Sequence, residues 1–303
     1  MSGTLYVNTR WDSEPEIFMG TVIQFREIPN GNDLPVIELQ IENSFERYEV
    51  VMSQPHPELQ LTEIPDSAVQ LVLWTAREQY AVSRSDTAIV LETPDSLLHL
   101  PYSKLRCPDI AADIELFIAK CPVQPLADFV RRVLGRPSVG IRFLNAAMDT
   151  DGYNAPGSLA RNSLEVATRS FDACRGYSDD DRWLATAAGL LHGLGRIELS
   201  DSASTDHLRI VLKTLGLLSE ELKWLGESCP EEAKMIQFII ASMYRMGSHP
   251  QPHPTAIAVH SSHLLAAHLN HELMTSAKEC LGGSAPGPAG QISDYQATQP
   301  SPE

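Results

Sequence analysis

The side chains with the most evident chemistry are histidines. His192 closes an apolar run in residues 187–199, AAGLLHGLGRIEL, with Gly193 next and Arg196 shortly after. An imidazole ending an apolar helix can ligate a divalent metal or exchange a proton near neutral pH. His207 follows the stretch STD, and His260, His263, His268 and His271 share one later segment. At 100° per residue, His260, His263 and His271 fall on one broad helical face, with His268 at its edge. Without converging acids, that face reads first as partly exposed imidazoles bonded to neighbours or water. His249 and His253 flank prolines in SHPQPHP, a spacing that matches no metal motif. The consecutive acids of SDDDR (178–182) suit the positive start of the next helix better than a cation. There is no P-loop, no Rossmann glycine pattern on a strand-to-helix turn and no Gly-x-Ser-x-Gly elbow. The glycines of GLGR read as punctuation at a helix end.

Two kinds of element must position these residues. Residues 17–93 alternate as strands. FMGTVIQFREI comes first, then a turn at NGND (30–33), then LPVIELQIEN, where Ile37, Leu39 and Ile41 share a face opposite in phase to Val36. ERYEVVMS is a third strand, and a Pro-containing stretch interrupts. AVQLVLWTAREQYAVS reads as one long strand and TAIVLET as a short one. Five strands with this interruption predict a small closed barrel of the OB type. Phe25, Tyr48, Trp74 and Tyr80 are candidate stacking platforms for a nucleic acid, or else barrel filling. Glu27, Glu38, Glu42, Glu46, Glu49 and Glu78 outweigh Arg26, Arg47, Arg77 and Arg84 there, which favours filling.

After residue 100 the period becomes helical. Helices are expected over 108–121, 124–135, 158–175 with Ser158 as N-cap, 181–192, 203–216 and 230–247, and from Pro254 onward. The expected organisation is an α+β, multi-domain chain: an OB-like barrel over 1–100, a helical linker over 101–141, a helical domain over 142–280 and a disordered tail over 281–303. No internal repeat is found.

The bulk numbers bound the function. A chain of 303 residues holds about two domains with their own cores. Five cysteines, none in a CxxC pair, argue against a disulfide framework or zinc ribbon and suit a reducing cytoplasm. The start MSGTLYVNTRWDSEPE lacks a basic region followed by an apolar core, so no signal peptide is expected. No apolar run is long enough for a bilayer. A net charge of −16 opposes binding to phosphate backbones.

Three segments, in order, resemble the HD superfamily of metal-dependent phosphohydrolases. RFLNAAMDTDGYNAPGSLARNSLEVA (142–167) is similar to the loop and helix that carry the family's first histidines. LATAAGLLHGLGRIEL (184–199) is similar to the segment ending Leu-Leu-His-Asp-Leu-Gly-Lys. PTAIAVHSSHLLAAHL (254–269) is similar to the closing helix. A barrel followed by this domain is similar to the YhaM-type 3′→5′ exoribonucleases, and to the TraI-type HD domain of conjugative relaxases. In the family, divalent metals held by imidazoles and carboxylates activate water and clamp phosphoryl oxygens.

The chain departs from that ligand set at nearly every position. Tyr153 and Asn154 fall where the loop histidines would be, and Asn162 where the first-helix histidine would be. His192 remains, but Gly193 replaces the aspartate, Arg196 replaces the lysine and His263 replaces the closing aspartate. The resemblance therefore implies a degenerate, non-catalytic HD-type domain with no cofactor. It would bind a protein partner, a nucleotide or, against its charge, a nucleic acid, in a setting of nucleic-acid processing or conjugative transfer. Arg161, Arg169, Arg196 and Arg209 are candidate phosphate contacts near the old site. The alternative is a metal-dependent phosphohydrolase or nuclease holding zinc or manganese on His192, His207 and His263. A third possibility is a single-strand binder driven by the barrel.

Overall fold

The computed structural model describes residues 16–30, 33–52, 68–74, 83–90, 96–148, 155–199, 207–243 and 253–281. The chain is α+β, with strands first and helices after. The strands are β1 (Glu16–Asn30), β2 (Asp33–Glu42), β3 (Arg47–Met52), β4 (Ala68–Trp74) and β5 (Ser83–Val90). The helices are α1 (Pro108–Ile118), α2 (Gln124–Gly135), α3 (Pro137–Asn145), α4 (Ser158–Ala173), α5 (Asp179–Leu191), α6 (His207–Ser228), α7 (Pro230–Ser242) and α8 (Pro254–Leu281).

β1 is long enough to serve two neighbours. Glu16–Thr21 pairs antiparallel with β4, and Thr21 onward pairs antiparallel with β2. A register shift between Val22 and Gln24 lets the strand bend between these duties. β3 continues antiparallel from β2, β5 pairs antiparallel with β4, and β3 meets β5 in parallel at Val50↔Ser83 and Val51↔Arg84. The pairings thus run in the cycle β1-β2-β3-β5-β4. Alternation puts Ile37, Leu39 and Ile41 into the enclosed core with Val22, Val50 and Leu71. Val36, of opposite phase, is also buried but lies outside that cluster. Tyr48 meets Phe18 edge-on at 4.9 Å, and Phe25 lies against the same core. These two aromatics fill the strand region, while the side chains of Trp74 and Tyr80 lie outside the described residues.

One expected strand is corrected. Residues 68–83 are not one strand, because the pairing Trp74↔Arg84 requires the chain to reverse between β4 and β5. β5 accordingly starts at Ser83, ahead of the expected TAIVLET.

Residues 96–105 stitch strands to helices. Thr21 Oγ1 donates to His99 O at 3.0 Å and Ser44 N to Leu98 O at 2.9 Å. The buried Glu42 carboxylate accepts from Ser103 N and from Ser103 Oγ. Leu97 and Leu100, meanwhile, belong to the helical core.

The helices differ from the sequence pattern in four places. α3 straddles the expected boundary between the linker and the helical domain. Gly140 weakens its helical pattern, yet the packing requires it, since a Cβ there would lie 2.0 Å from Leu134 O. α4 is preceded by Gly157 at φ 77°, so Ser158 is its first residue rather than its cap; Ser158 Oγ accepts from Met148 N at 2.8 Å instead. α5 starts earlier than expected, with Ser178 as N-cap accepting from Asp181 N and the three aspartates in the first turn. α6 runs through Gly216 to Ser228, because the glycine faces open space and costs only about 1 kcal/mol of propensity. The expected tail over 281–303 lies outside the described residues beyond Leu281. Cys107, Cys121, Cys174 and Cys229 are free thiols. No helix among the described residues is long and apolar enough to cross a membrane.

Candidate functional site

α5 is buried from Trp183 to Leu191, so its C-terminus arrives inside the helical core. It can do so because Gly189 allows α4 close, with a notional Cβ 3.2 Å from Ala167 Cα. His192 follows as the C-cap, its N–H donating to Ala188 O at 2.8 Å. The His192 side chain folds back, with Nδ1 2.7 Å from Gly189 O. A carbonyl only accepts, so Nδ1 carries the proton and Nε2 is an acceptor. His263 of α8 supplies the donor: its Nδ1 lies 2.9 Å from His192 Nε2, with ring centroids 4.8 Å apart. His263 Nε2 is thereby left as an acceptor.

Both imidazoles are held neutral. His192 is pulled down to about 4, by burial first and then by Arg196, against the opposing Gly189 hydrogen bond. His263 is pulled down to about 3, by burial first and then by His192, Arg196, His207 and His260. His260 is lowered in the same way, by burial and by His207.

The pair borders a cavity of about 250 Å³. Its polar wall is His192, Arg196, His207, His260 and His263; Ile210, Val211, Met243 and Leu264 make the apolar part. Among the described residues, no carboxylate lines it.

The expected site residues separate into those gathered here and those elsewhere. His192, Gly193, Arg196, His207 and His263 all reach the cavity. Asn162 is buried on α4 but is not on the cavity wall. Arg161 and Arg209 are exposed and lie off the cavity wall: α4 turns Leu159, Ala160, Asn162 and Ser163 inward, and α6 turns Ile210, Val211 and Thr214 inward. Arg169 pairs with Glu165 at 2.8 Å along α4. Tyr153 and Asn154 lie outside the described residues, as does the His271 side chain. His260, read from the sequence only as one of a histidine face, is a wall residue; its spacing from His263 was the available signal.

Of the three-histidine metal set, His192 and His263 are in direct contact. His192, His207 and His263 share the cavity, but the His192 ring has both nitrogens committed, to Gly189 O and His263 Nδ1. Among the described residues, no group of three or more His, Cys, Asp or Glu side chains could hold a metal ion. On the strands, a second cavity of about 210 Å³ lies over Gln24, Arg26, Glu38, Gln40 and Glu49. Its acids outnumber its single cation, unlike a groove for single-stranded nucleic acid. No family model, no curated protein and no solved structure matches the chain.

Proposed function

We propose that the chain acts by binding, through an HD-like helical domain (142–280) that has lost its metal site, joined to an OB-like barrel (1–100). The observation that carries this reading is the direct His192–His263 hydrogen bond beside a wall without carboxylates among the described residues. An HD-type metal would need the His192 nitrogen that His263 now engages, and acid charge at the positions of Gly193 and His263. The parallel closure of β3 on β5 supports the OB-like assignment of the strands. The ligand is a nucleotide or a partner protein. Nucleic acid ranks lower because the net charge is −16. Nucleic-acid processing or conjugative transfer, in the cytoplasm, is the setting that the resemblance suggests.

The test is metal analysis of the purified protein together with hydrolysis of single-stranded RNA and DNA in added Mn²⁺. No metal-dependent hydrolysis and no retained metal are expected. Stoichiometric zinc or manganese that is lost in His192→Ala, with activity lost alongside, would overturn the reading in favour of a metal-dependent phosphohydrolase.

A further inference from the structure

We propose that two copies of this chain dock through the outward face of α8, antiparallel about a two-fold axis at Ser261. This goes beyond the binding reading above and does not depend on it.

The helix itself calls for a cover. α8 turns Thr255, Val259, Ser262 and Ala266 into the protein. Its other side carries Ile257, Ser261, Leu264, Leu265 and His268. They are spaced i, i+4, i+7, i+8 and i+11, which makes one stripe at 100° per residue. Ile257, Leu264 and Leu265 are 42, 55 and 46% exposed. A surface helix is polar on its outward side, and a helix apolar all round belongs in an interior. The described residues cover one side of α8 and leave the apolar side chains of the other exposed.

Charge favours a second copy as the cover. Residues 254–270 contain no Asp, Glu, Lys or Arg, in a chain of net charge −16. A foreign partner drawn to so acidic a protein is basic and needs acids to meet, and this stretch offers none. A second copy is equally acidic and is repelled wherever the surfaces that meet are charged. Along this stripe it meets no like charge. Interfaces between identical chains are also the more apolar ones, with charge depleted at their centre.

The stripe complements itself. Ile257 and Leu265 stand four residues to either side of Ser261. An antiparallel pair centred there sets Ile257 of each copy against Leu265 of the other. The two Ser261 side chains meet at the axis and are small enough to let the helices approach. A stable interface covers about 800 Å² on each partner, more than one helical stripe supplies. α6 extends it: α6 and α8 both border the cavity of about 250 Å³, and Leu208 and Leu212 of α6 are 40 and 59% exposed. The chain's own segments beside these helices are poor covers. Residues 200–206 hold no large apolar side chain, 244–252 only Tyr244 and Met246, and 282–303 only Ile292 and Tyr295.

The test is sedimentation equilibrium of the full chain at micromolar concentrations. A dimer is expected. Leu265→Glu places two carboxylates in each dimer against Ile257 and should weaken self-association at least about a hundred-fold. Leu265 is half-exposed in the single chain, so the circular dichroism of this variant should match the parent's. Ile257→Lys combined with Leu265→Glu should recover the dimer, because antiparallel pairing sets each new cation against a new anion. Leu116→Glu, at an exposed leucine of α1, should stay dimeric. The proposal fails if the parent is a monomer throughout, or if Leu265→Glu dimerises as well as the parent. It also fails if the double variant is no more dimeric than Leu265→Glu, or if Leu116→Glu is equally damaging. A monomeric parent that sediments with phosphatidylcholine vesicles, and is released from them by Leu265→Glu, would give the face to a lipid surface instead.

Discussion

The chain leaving α5 has two sides that are built differently. Towards α6 its backbone packs tightly on the helix and is held through one buried hydroxyl. Gly195 N donates to Thr214 Oγ1 at 2.8 Å, and that hydroxyl donates to His192 O at 3.2 Å. A Cβ at Gly195 would lie 2.2 Å from Ile210 O and 2.6 Å from Thr214 N. Towards α8 it is side chain against side chain, His192 on His263, beside a cavity. A Cβ at Gly193 would point instead at α4, where it would meet only Leu159 Cδ1, at 3.3 Å, and Ser163 Oγ, at 3.9 Å. The α6 side fixes where the chain runs. The α8 side leaves space and unmatched hydrogen-bonding capacity, which is what a ligand can use. Two glycines two residues apart therefore carry different meanings.

The sharpest way to break this contrast is Gly195→Ala. The new methyl meets backbone rather than a flexible side-chain tip, so the turn must leave α6. A loss of about 3 kcal/mol is expected in urea unfolding, at the upper end for overpacking. A neutral result would mean that the α6 side is as adaptable as the α8 side. Thr214→Val tests the same side by its polar groups. It keeps shape but leaves the buried Gly195 N–H without its acceptor, and should cost about 2 kcal/mol.

The α8 side should show itself through pH. His192 and His263 have folded values of about 4 and about 3 against an ordinary 6.5. As pH falls, the unfolded chain takes up these protons first, so protonation favours unfolding. Their contribution is fully present above about pH 6.5 and is lost as pH falls towards 4 and then 3. One such group changes stability by at most about 1.4 kcal/mol per pH unit. Comparing His263→Leu with the parent chain isolates the effect: its stability curve should be flatter between pH 6.5 and 4. Parallel curves would show that the imidazole is not the buried, neutral group described.

The sequence made some of this legible and hid the rest for physical reasons. His192, Gly193 and Arg196 stood out because an apolar helix has to end somewhere, and the residues at that end reach the core boundary. Ile37, Leu39 and Ile41 announced their strand by alternation. The division between β4 and β5 was hidden because residues on both sides of the reversal favour strands. α3 was hidden by Gly140, which serves a close helix approach rather than a loop. Arg161 and Arg209 were nominated by nearness along the chain, but helix rotation decides which way they face. The company of His207 and His260 depends on how α6 and α8 pack, which no local pattern encodes.

Gly193 itself is the finest test of the contrast. Its backbone, at φ −91° and ψ 1°, is open to any residue, so no left-handed conformation demands glycine there. The nearest atom to an added methyl is the tip of a leucine side chain, which can give by a few tenths of an ångström. Alanine also restricts the unfolded chain more than glycine does. Gly193→Ala should therefore change stability by no more than about 0.5 kcal/mol in either direction. That outcome would mean that the fold tolerates a side chain at this position and does not use one. The lack of an acid beside His192 would then be a property of the site's chemistry rather than a requirement of its packing. A loss near that of Gly195→Ala would instead make Gly193 a second piece of the rigid turn, and its glycine would say nothing about metal.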